Sequence, residues 1–295
     1  MSNILPIFFR DLAIKGIFSD DDLFEILTLK GGNAMALLDI TDRASQDLDF
    51  SIKQGIRLTQ DEDAPKFKKA LERTFEEEGY RVIDFKFDVK PKKTKRELPP
   101  FWGGYSINFK VMDEETYEKT YGVSDQKRSS MALQLEGGKK KIEIDISLEE
   151  YTEDRMQMKL DEYQIHIYSP LMIVYEKMRA LCQQLPDYEY ASFEKTRARD
   201  LYDIYIAIQK SSSLELRGQI LSPSNVHILR EMFKAKNVSL ELLLKIEYYR
   251  EQLEDDFNQR VTPQIADRKN VPDFDFLFEF NIELIKEVYA LLEEG

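Results

Sequence analysis

The sequence has very little of what builds cysteine- and histidine-based sites. Its single cysteine, Cys182, excludes an internal disulfide and any zinc site made of several cysteines. Only two histidines are present, His166 and His227, and neither has a partner at metal-ligand spacing. If this chain binds a metal ion, we therefore expect carboxylates to be the ligands.

Long apolar runs are also missing. No segment approaches the roughly 20 apolar residues that a membrane-spanning helix needs. The first residues, 1–6, lack the charged and then apolar pattern of a signal peptide. We therefore expect a cytoplasmic protein that makes no contact with a membrane.

Positive charge is scarce relative to negative charge. The chain has 42 lysines and arginines against 55 aspartates and glutamates, a formal net charge of −13. Because nucleic-acid binding depends largely on neutralising phosphates, an RNA substrate would have to meet a local basic patch. Residues 90–96 and residues 139–141 are the two candidates, and either can equally be a solvated loop.

Two aspartates alternate with apolar residues in a segment typical of a strand. Asp47 and Asp49 flank Leu48, so in a strand both carboxylates point to one face. Like charges held this close repel each other unless a cation lies between them. Carboxylate oxygens are hard ligands that suit Mg²⁺ or Mn²⁺, so the pair predicts a divalent metal, although Asp-x-Asp is also common on solvated strand edges.

A glycine pair precedes these aspartates. Gly31 and Gly32 follow Lys30, and their missing side chains would let backbone N–H groups approach an anion. The helix predicted from Asn33 would place its N-terminus near that turn, which favours a phosphate. A glycine pair after an apolar run is more often only a turn, so this feature gains weight from the nearby aspartates.

A third acid lies on a second alternating segment, residues 139–147. Three isoleucines face one side and Glu143, Asp145 and Ser147 face the other. We take Asp145 as the third carboxylate of the predicted site. The alternative is an ordinary surface strand.

The stretch from Leu29 to Ser51 resembles the first motif of the AbiEii-type nucleotidyltransferases. These proteins are the toxin half of bacterial toxin–antitoxin and phage-defence pairs, within the polymerase-beta-like superfamily. Two later motifs are similar as well, a helix around Lys177 with the pattern Lys-x-x-Ala, and an Arg-Asp-x-x-Asp helix that contains Asp200 and Asp203. The resemblance covers the motifs from about residue 25 to residue 210, in order.

The resemblance implies a role for each residue of the site. Asp47, Asp49 and Asp145 would hold one or two Mg²⁺ ions, Lys177 would neutralise charge on the triphosphate, and Asp200 would orient Lys177 or the acceptor. The expected nucleotide-binding residues are Lys30, Gly31, Gly32, Asn33, Arg43 and Ser45. Many superfamily members have Ser or Thr where this chain has Asn33, and that difference bears on phosphate affinity or nucleotide choice.

The pattern of elements predicts an α+β fold. We expect a polymerase-beta-like nucleotidyltransferase domain with a small mixed sheet over residues 1–165, followed by a helical domain over residues 166–295 that contributes Lys177 and Asp200. Helices are predicted before the glycine pair and over residues 65–79. Strands are predicted over residues 80–89, 103–112, 130–136 and 139–147, with a tight hairpin at Gly137 and Gly138.

The leading functional hypothesis is transfer of a nucleoside monophosphate from an NTP to an acceptor hydroxyl with release of pyrophosphate. By resemblance the acceptor would be the tRNA 3′ end, and a cognate antitoxin is a possible partner. One alternative is transfer to a cationic small molecule such as an aminoglycoside, which the acidic composition favours. Another is a degenerate module that binds a nucleotide or an antitoxin without catalysis.

Overall fold

The chain forms two compact units. The computed structural model describes residues 7–41, 45, 47–92, 99–135, 138–191, 196–211, 215–265 and 271–294. One unit comprises Met1–Ala34 and Ala44–Ile167, and the other comprises Met35–Arg43 and Tyr168–Gly295. Within the described ranges, no helix has both the length and the apolar character needed to cross a membrane.

The first part of the chain alternates helices and strands. The helices are α1 Ile7–Phe18, α2 Asp21–Ile26, α3 Gly31–Leu37, α4 Asp63–Glu77, α5 Glu114–Glu118 and α6 Asp125–Ser130. The strands are β1 Leu27–Lys30, β2 Leu48–Lys53, β3 Tyr80–Lys90, β4 Gly104–Asp113, β5 Lys141–Glu150, β6 Met156–Leu160 and β7 Tyr163–Ile167.

These seven strands form one sheet in the order β3-β4-β5-β2-β1-β7-β6. The pairs β2–β5 and β1–β7 are parallel, and the other neighbouring pairs are antiparallel. The sheet is therefore mixed, and the predicted α+β fold class is confirmed.

One face of the sheet is apolar and is covered by α1 and α4. Phe75 of α4 packs against Phe9 of α1 and Phe109 of β4, with ring centroids 6.1 and 5.5 Å apart. Phe67 of α4 lies 6.0 Å from Phe87 of β3. Burial of each such ring stabilises the unit by about 1.5–3 kcal/mol, so this face holds the core.

The opposite face of the same strands is polar because side chains alternate along a strand. The strand register aligns one residue from each of five neighbouring strands, and we call this set the polar row. Its members, from β1 to β3, are Lys30, Asp49, Asp145, Ser106 and Asp88. The sheet thus brings residues more than 100 positions apart to one line.

The second unit is helical. Its helices are α7 Pro170–Gln183, α8 Ala198–Lys210, α9 Leu216–Ile220, α10 Val226–Lys234, α11 Arg250–Asp256 and α12 Phe274–Glu294. It also contains 3₁₀ helices at Pro223–Asn225, Leu240–Tyr249 and Thr262–Gln264, and a π-helix at Phe257–Val261. Ser169 caps α7 by accepting a hydrogen bond from the Met172 N–H, and Pro170 occupies the first turn.

The sequence prediction was wrong at several short elements. In the described part of the strand expected over residues 130–136, no strand forms: α6 extends to Ser130, and residues 131–135 follow as loop. Gly137, half of the predicted hairpin turn, lies outside the described residues. Strands β1, β6 and β7 were missed; they are only four or five residues long, and the turn between β6 and β7 has Asp161 at φ +51° in place of the usual glycine.

Gly104 is required for the close approach of β4 to β5. A Cβ at this position would lie 2.0 Å from the Ile146 carbonyl oxygen. We expect Gly104→Ala to lower the free energy of unfolding by about 1–3 kcal/mol or more, since backbone must move to relieve the clash. Urea unfolding followed by circular dichroism would measure this loss.

The matched control is Gly218→Ala in α9, where an added Cβ meets nothing within 4 Å. Because alanine favours a helix over glycine by about 1 kcal/mol, this change should leave stability equal or higher. Equal stability losses in the two variants would contradict the steric explanation for Gly104.

Candidate active site

Two of the three predicted carboxylates are neighbours on adjacent strands. Asp49 of β2 is the register partner of Asp145 of β5 in the parallel pair. Neighbouring strands lie about 4.8 Å apart, so the two side chains leave the same face side by side. The apolar residues that flank them, Leu48 and Phe50 on β2, are fully buried on the opposite face and hold the orientation of Asp49.

Gly31 provides the space that the Asp49 carboxylate occupies. A Cβ on Gly31 would lie 2.5 Å from Asp49 Oδ2, and the residue has φ +68°. Both facts favour glycine, the first by volume and the second by conformation. Gly31, which was predicted to approach a phosphate, therefore also leaves space for the carboxylate of Asp49. Gly32 follows it within α3.

Asn33 braces the loop that carries Asp47. Its side chain is fully buried, and Nδ2 donates a hydrogen bond of 2.8 Å to the Asp47 carbonyl oxygen. The buried Oδ1 atom has no hydrogen-bond partner within the part of the chain that the structure describes. The observed role of Asn33 is thus to position Asp47, whereas its direct contact with a phosphate stays a prediction.

Lys30 is engaged in a buried ion pair. Its Nζ donates to Glu150 Oε1 at 2.9 Å, and the two residues are 7% and 2% exposed. Glu150 reaches this face because the β2–β5 register shifts between Ser51 and Lys53, next to Glu149 at φ +47°. Such a bulge redirects the following side chain. The predicted phosphate contact of Lys30 is untested, and its ammonium is already neutralised by Glu150.

Asp145 is also paired with a cation. Lys90 Nζ of β3 lies 2.6 Å from Asp145 Oδ1, although β4 separates the two strands. The lysine spans β4 at Gly104 and Ser106, the smallest side chains of that strand on this face. Both partners are close to half exposed, so the pair lies within reach of solvent.

The donor chemistry of the acid pair fits a hard divalent cation. Asp49 and Asp145 present carboxylate oxygens from adjacent strands, and Gly31 places no side chain against Asp49 Oδ2. Among the described residues, no group of three or more Asp, Glu, His or Cys side chains is assembled to hold a metal. Asp47 precedes β2 and is not part of the register pair.

Lys177 and Asp200 are brought together in the second unit. Lys177 Nζ lies 3.0 Å from Asp200 Oδ1 and 2.6 Å from Asp203 Oδ2, and all three residues are at most 7% exposed. Arg197 adds a contact of 3.3 Å to Asp200 Oδ2. The α8 residues Asp200 and Asp203 are three apart and share one face, so both reach the same ammonium.

Burial and charge act in opposite directions on this cluster. Burial alone would raise the pKa of Asp200, but the Lys177 ammonium and the Arg197 guanidinium more than offset it, and that pKa lies below its ordinary value. Burial would lower the pKa of Lys177, but Asp200 and Asp203 more than offset it, and that pKa is raised. Lys177 and Asp200 are therefore charged near neutral pH.

The structure describes one of the two remaining predicted residues. Ser45 is half-buried in irregular backbone, and Arg43 lies outside the described residues. Sequence reasoning missed Glu150 and Lys90 as partners of the site residues. A clue to Glu150 was available, because Glu149 and Glu150 together break the alternation of β5. No pattern in the sequence indicated that Lys90 pairs with Asp145, which lies two strands away in the sheet.

Acid should weaken the second unit through Asp200. Its unfolded pKa is about 3.9 and its folded pKa is lower, so its contribution to stability is present above about pH 4 and is lost as the pH falls through the folded value. We expect Asp200→Asn to lower the free energy of unfolding by about 3 kcal/mol at pH 7, because the Lys177 charge loses a partner. The deficit should shrink at pH 3.

Chemical denaturation at several pH values would check this expectation. Asp255→Asn, at an exposed position of α11, is the control and should track the wild type at every pH. A deficit for Asp200→Asn that stays constant from pH 7 to pH 3 would be inconsistent with an ionised, cation-paired Asp200.

Comparisons with known proteins found solved structures that align with this chain at low sequence identity. A crystal structure of a Helicobacter pylori protein assigned to the nucleotidyltransferases aligns with a TM-score of 0.47 and 15% identity, covering 98% of this chain and 95% of that one. A second Helicobacter pylori crystal structure gives the same TM-score and identity, with 98% and 92% covered. An antigenic nucleotidyltransferase-like protein from Paracoccidioides brasiliensis aligns at 0.37 and 14% identity, with 78% and 95% covered. No curated protein matches.

The comparison with protein families is the decisive one. Residues 13–280 match the family described as nucleotidyl transferase AbiEii toxin of type IV toxin–antitoxin systems. The match spans both compact units and includes the acid pair, Gly31 and the Lys177 cluster. The chain therefore belongs to the AbiEii nucleotidyltransferase toxin family.

Proposed function

We propose that this protein transfers a nucleoside monophosphate from an NTP to the 3′ end of tRNA, as the toxin of a bacterial toxin–antitoxin pair. The acceptor hydroxyl oxygen attacks the α-phosphorus, the bond to the β-phosphate oxygen breaks, and pyrophosphate leaves. The hydroxyl proton passes to Asp145. Blocking the tRNA 3′ end would prevent aminoacylation, which is a direct route to toxicity.

The observation that carries this proposal is the in-register pair of Asp49 and Asp145 beside Gly31. Two adjacent carboxylates on one strand face would hold Mg²⁺ or Mn²⁺, with Asp47 as the third predicted ligand. When bound, the ion supplies charge neutralisation for the triphosphate and lowers the pKa of the acceptor hydroxyl. Gly31 keeps side-chain volume away from the Asp49 oxygens and leaves room for a phosphate.

Lys177 and Asp200 enter the proposal as an ordered pair. A lysine held by two buried carboxylates has a fixed position and a permanent charge, which suits a group that binds an anion through a preorganised site. In this proposal Asp200 is a positioning residue that acts through Lys177. The other proposed nucleotide-binding residues are Lys30, Gly31, Gly32, Asn33, Arg43 and Ser45. Lys30 is paired with Glu150, and Asn33 is hydrogen-bonded to the backbone of Asp47.

The partner proposal follows from the family description. A type IV toxin–antitoxin family implies a cognate antitoxin for this chain. Family analogy allows that antitoxin to act without tight binding to the toxin. The NTP and the tRNA are the other proposed partners.

The test is transfer of label from each of four labelled NTPs to total tRNA in the presence of Mg²⁺, resolved on a denaturing gel. We expect label to enter tRNA with the wild type and not after addition of EDTA. Asp49→Asn should lower the rate by at least about 10³-fold, because it removes a negative charge that would hold the divalent cation in the transition state.

Asp88→Asn is the matched control, since Asp88 belongs to the polar row but pairs with Lys92 at the far edge. Its rate should stay near that of the wild type. Full activity of Asp49→Asn, or no label in any tRNA with folded wild type, would overturn the proposal. Label in an aminoglycoside in place of tRNA would establish the small-molecule alternative.

A second prediction isolates the space at Gly31. Gly31→Ala should cost about 1–2 kcal/mol of stability for its left-handed backbone and should also displace the Asp49 carboxylate, so kcat falls by about 10²-fold or more. Gly55→Ala has a similar φ of +78° but meets nothing within 4 Å. It should show the same stability loss with unchanged kcat. Equal kcat in the two variants would contradict a role for Gly31 beyond backbone conformation.

A further inference from the structure

A cavity opens on the same sheet face as the acid pair, and the proposed mechanism does not use it. Its volume is about 300 Å³, within the range of small-ligand sites. The polar faces of β3, β4 and β5 form one side, and α6 forms the other. The lining residues that matter are Asp84, Lys86, Asn108, Lys110, Ser129 and Lys141.

The register places this cavity next to Asp145. On β5, Lys141 lies four residues before Asp145, and on β4, Asn108 and Lys110 lie two and four residues beyond Ser106, the partner of Asp145. At about 3.3 Å per residue, the cavity begins about 7 Å from Asp145 and ends about 13 Å away. The Asn108 amide donates a 3.1 Å hydrogen bond to the Ser106 hydroxyl, so polar groups connect the two sites.

Lys86, Lys110 and Lys141 line the cavity together with Asp84 and Asp125, so its formal charge is positive, in contrast to the chain as a whole. Lys110 Nζ lies 2.9 Å from Asp84 Oδ2, and Ser129 donates to the same oxygen. Burial would raise the pKa of Asp84, but Ser129 and Lys110 more than offset it and keep that carboxylate ionised and satisfied. Lys86 and Lys141 are exposed lysines on the remaining walls, and they have no ion-pair partner among the residues that the structure describes.

We propose that this cavity binds a backbone phosphate of the acceptor RNA, held by Lys86 and Lys141 with Asn108 and Lys110 at the base. This inference rests on the proposed function for the identity of the acceptor. A phosphodiester matches two lysines, an amide and a cavity of this size, and it would fix the strand upstream of the 3′ end while that end lies at Asp145. The cavity also gives a binding role to Lys141, the last residue of one of the two basic segments of the sequence.

The test is binding of 5′-fluorescein-labelled tRNA, measured by fluorescence anisotropy. The salt concentration is varied from about 50 to about 200 mM, because affinity that comes from phosphate contacts falls steeply over this range. The double variant Lys86→Gln/Lys141→Gln should bind at least about tenfold more weakly at low salt. Its slope of log affinity against log salt should be smaller by about one for each lost phosphate contact. Both lysines are exposed, so the fold should persist.

The control is Lys68→Gln/Lys69→Gln, which removes the same charge from exposed positions of α4. It should keep the wild-type affinity and slope. Equal tRNA affinities and salt slopes in the two double variants would overturn the phosphate site. So would a wild type that binds no tRNA, including one that binds an acidic protein in its place.

The labelling assay separates this inference from the proposed function. Transfer of label to tRNA by Lys86→Gln/Lys141→Gln with an unchanged KM for tRNA would overturn the phosphate site and leave the function standing. Loss of tRNA binding in that variant, together with no label transfer by the wild type, would keep the phosphate site and reject the function.

Discussion

Repulsion between Asp49 and Asp145 is the constraint on which the first unit depends. Two carboxylates on adjacent strands are tolerated only where the opposite face of the sheet secures the strands and cations offset the charge. The aromatic side chains of α1 and α4 meet the first condition by covering the apolar face. Lys90 contributes to the second by pairing with Asp145.

Small residues and one bulge fit the charges into the sheet. Gly31 leaves space for Asp49, and Gly104 allows β4 to approach β5. The irregularity at Glu149 turns Glu150 toward Lys30. Local departures from regular structure of this kind are common at functional sites.

The second unit handles charge in a different way. Lys177 contacts Asp200 and Asp203, and the charged states of Lys177 and Asp200 depend on their oppositely charged neighbours. A buried cluster of this kind adds little net stability, but removal of one member leaves an uncompensated charge. The cluster fixes the position of the Lys177 ammonium. Exposed lysines such as Lys86 and Lys141 are not held in this way.

Local patterning determined much of this protein from its sequence alone. Alternation in β2 and β5 predicted the inward and outward residues, and this feature depends on neighbouring residues only. The order of motifs predicted the family that residues 13–280 match. The tertiary structure alone decided the strand order, the pairing of Asp49 with Asp145, the burial of Lys30 against Glu150 and the reach of Lys90 across β4. Each of these joins residues far apart in the chain, and such contacts are selected by the packing of the whole sheet rather than by any local preference.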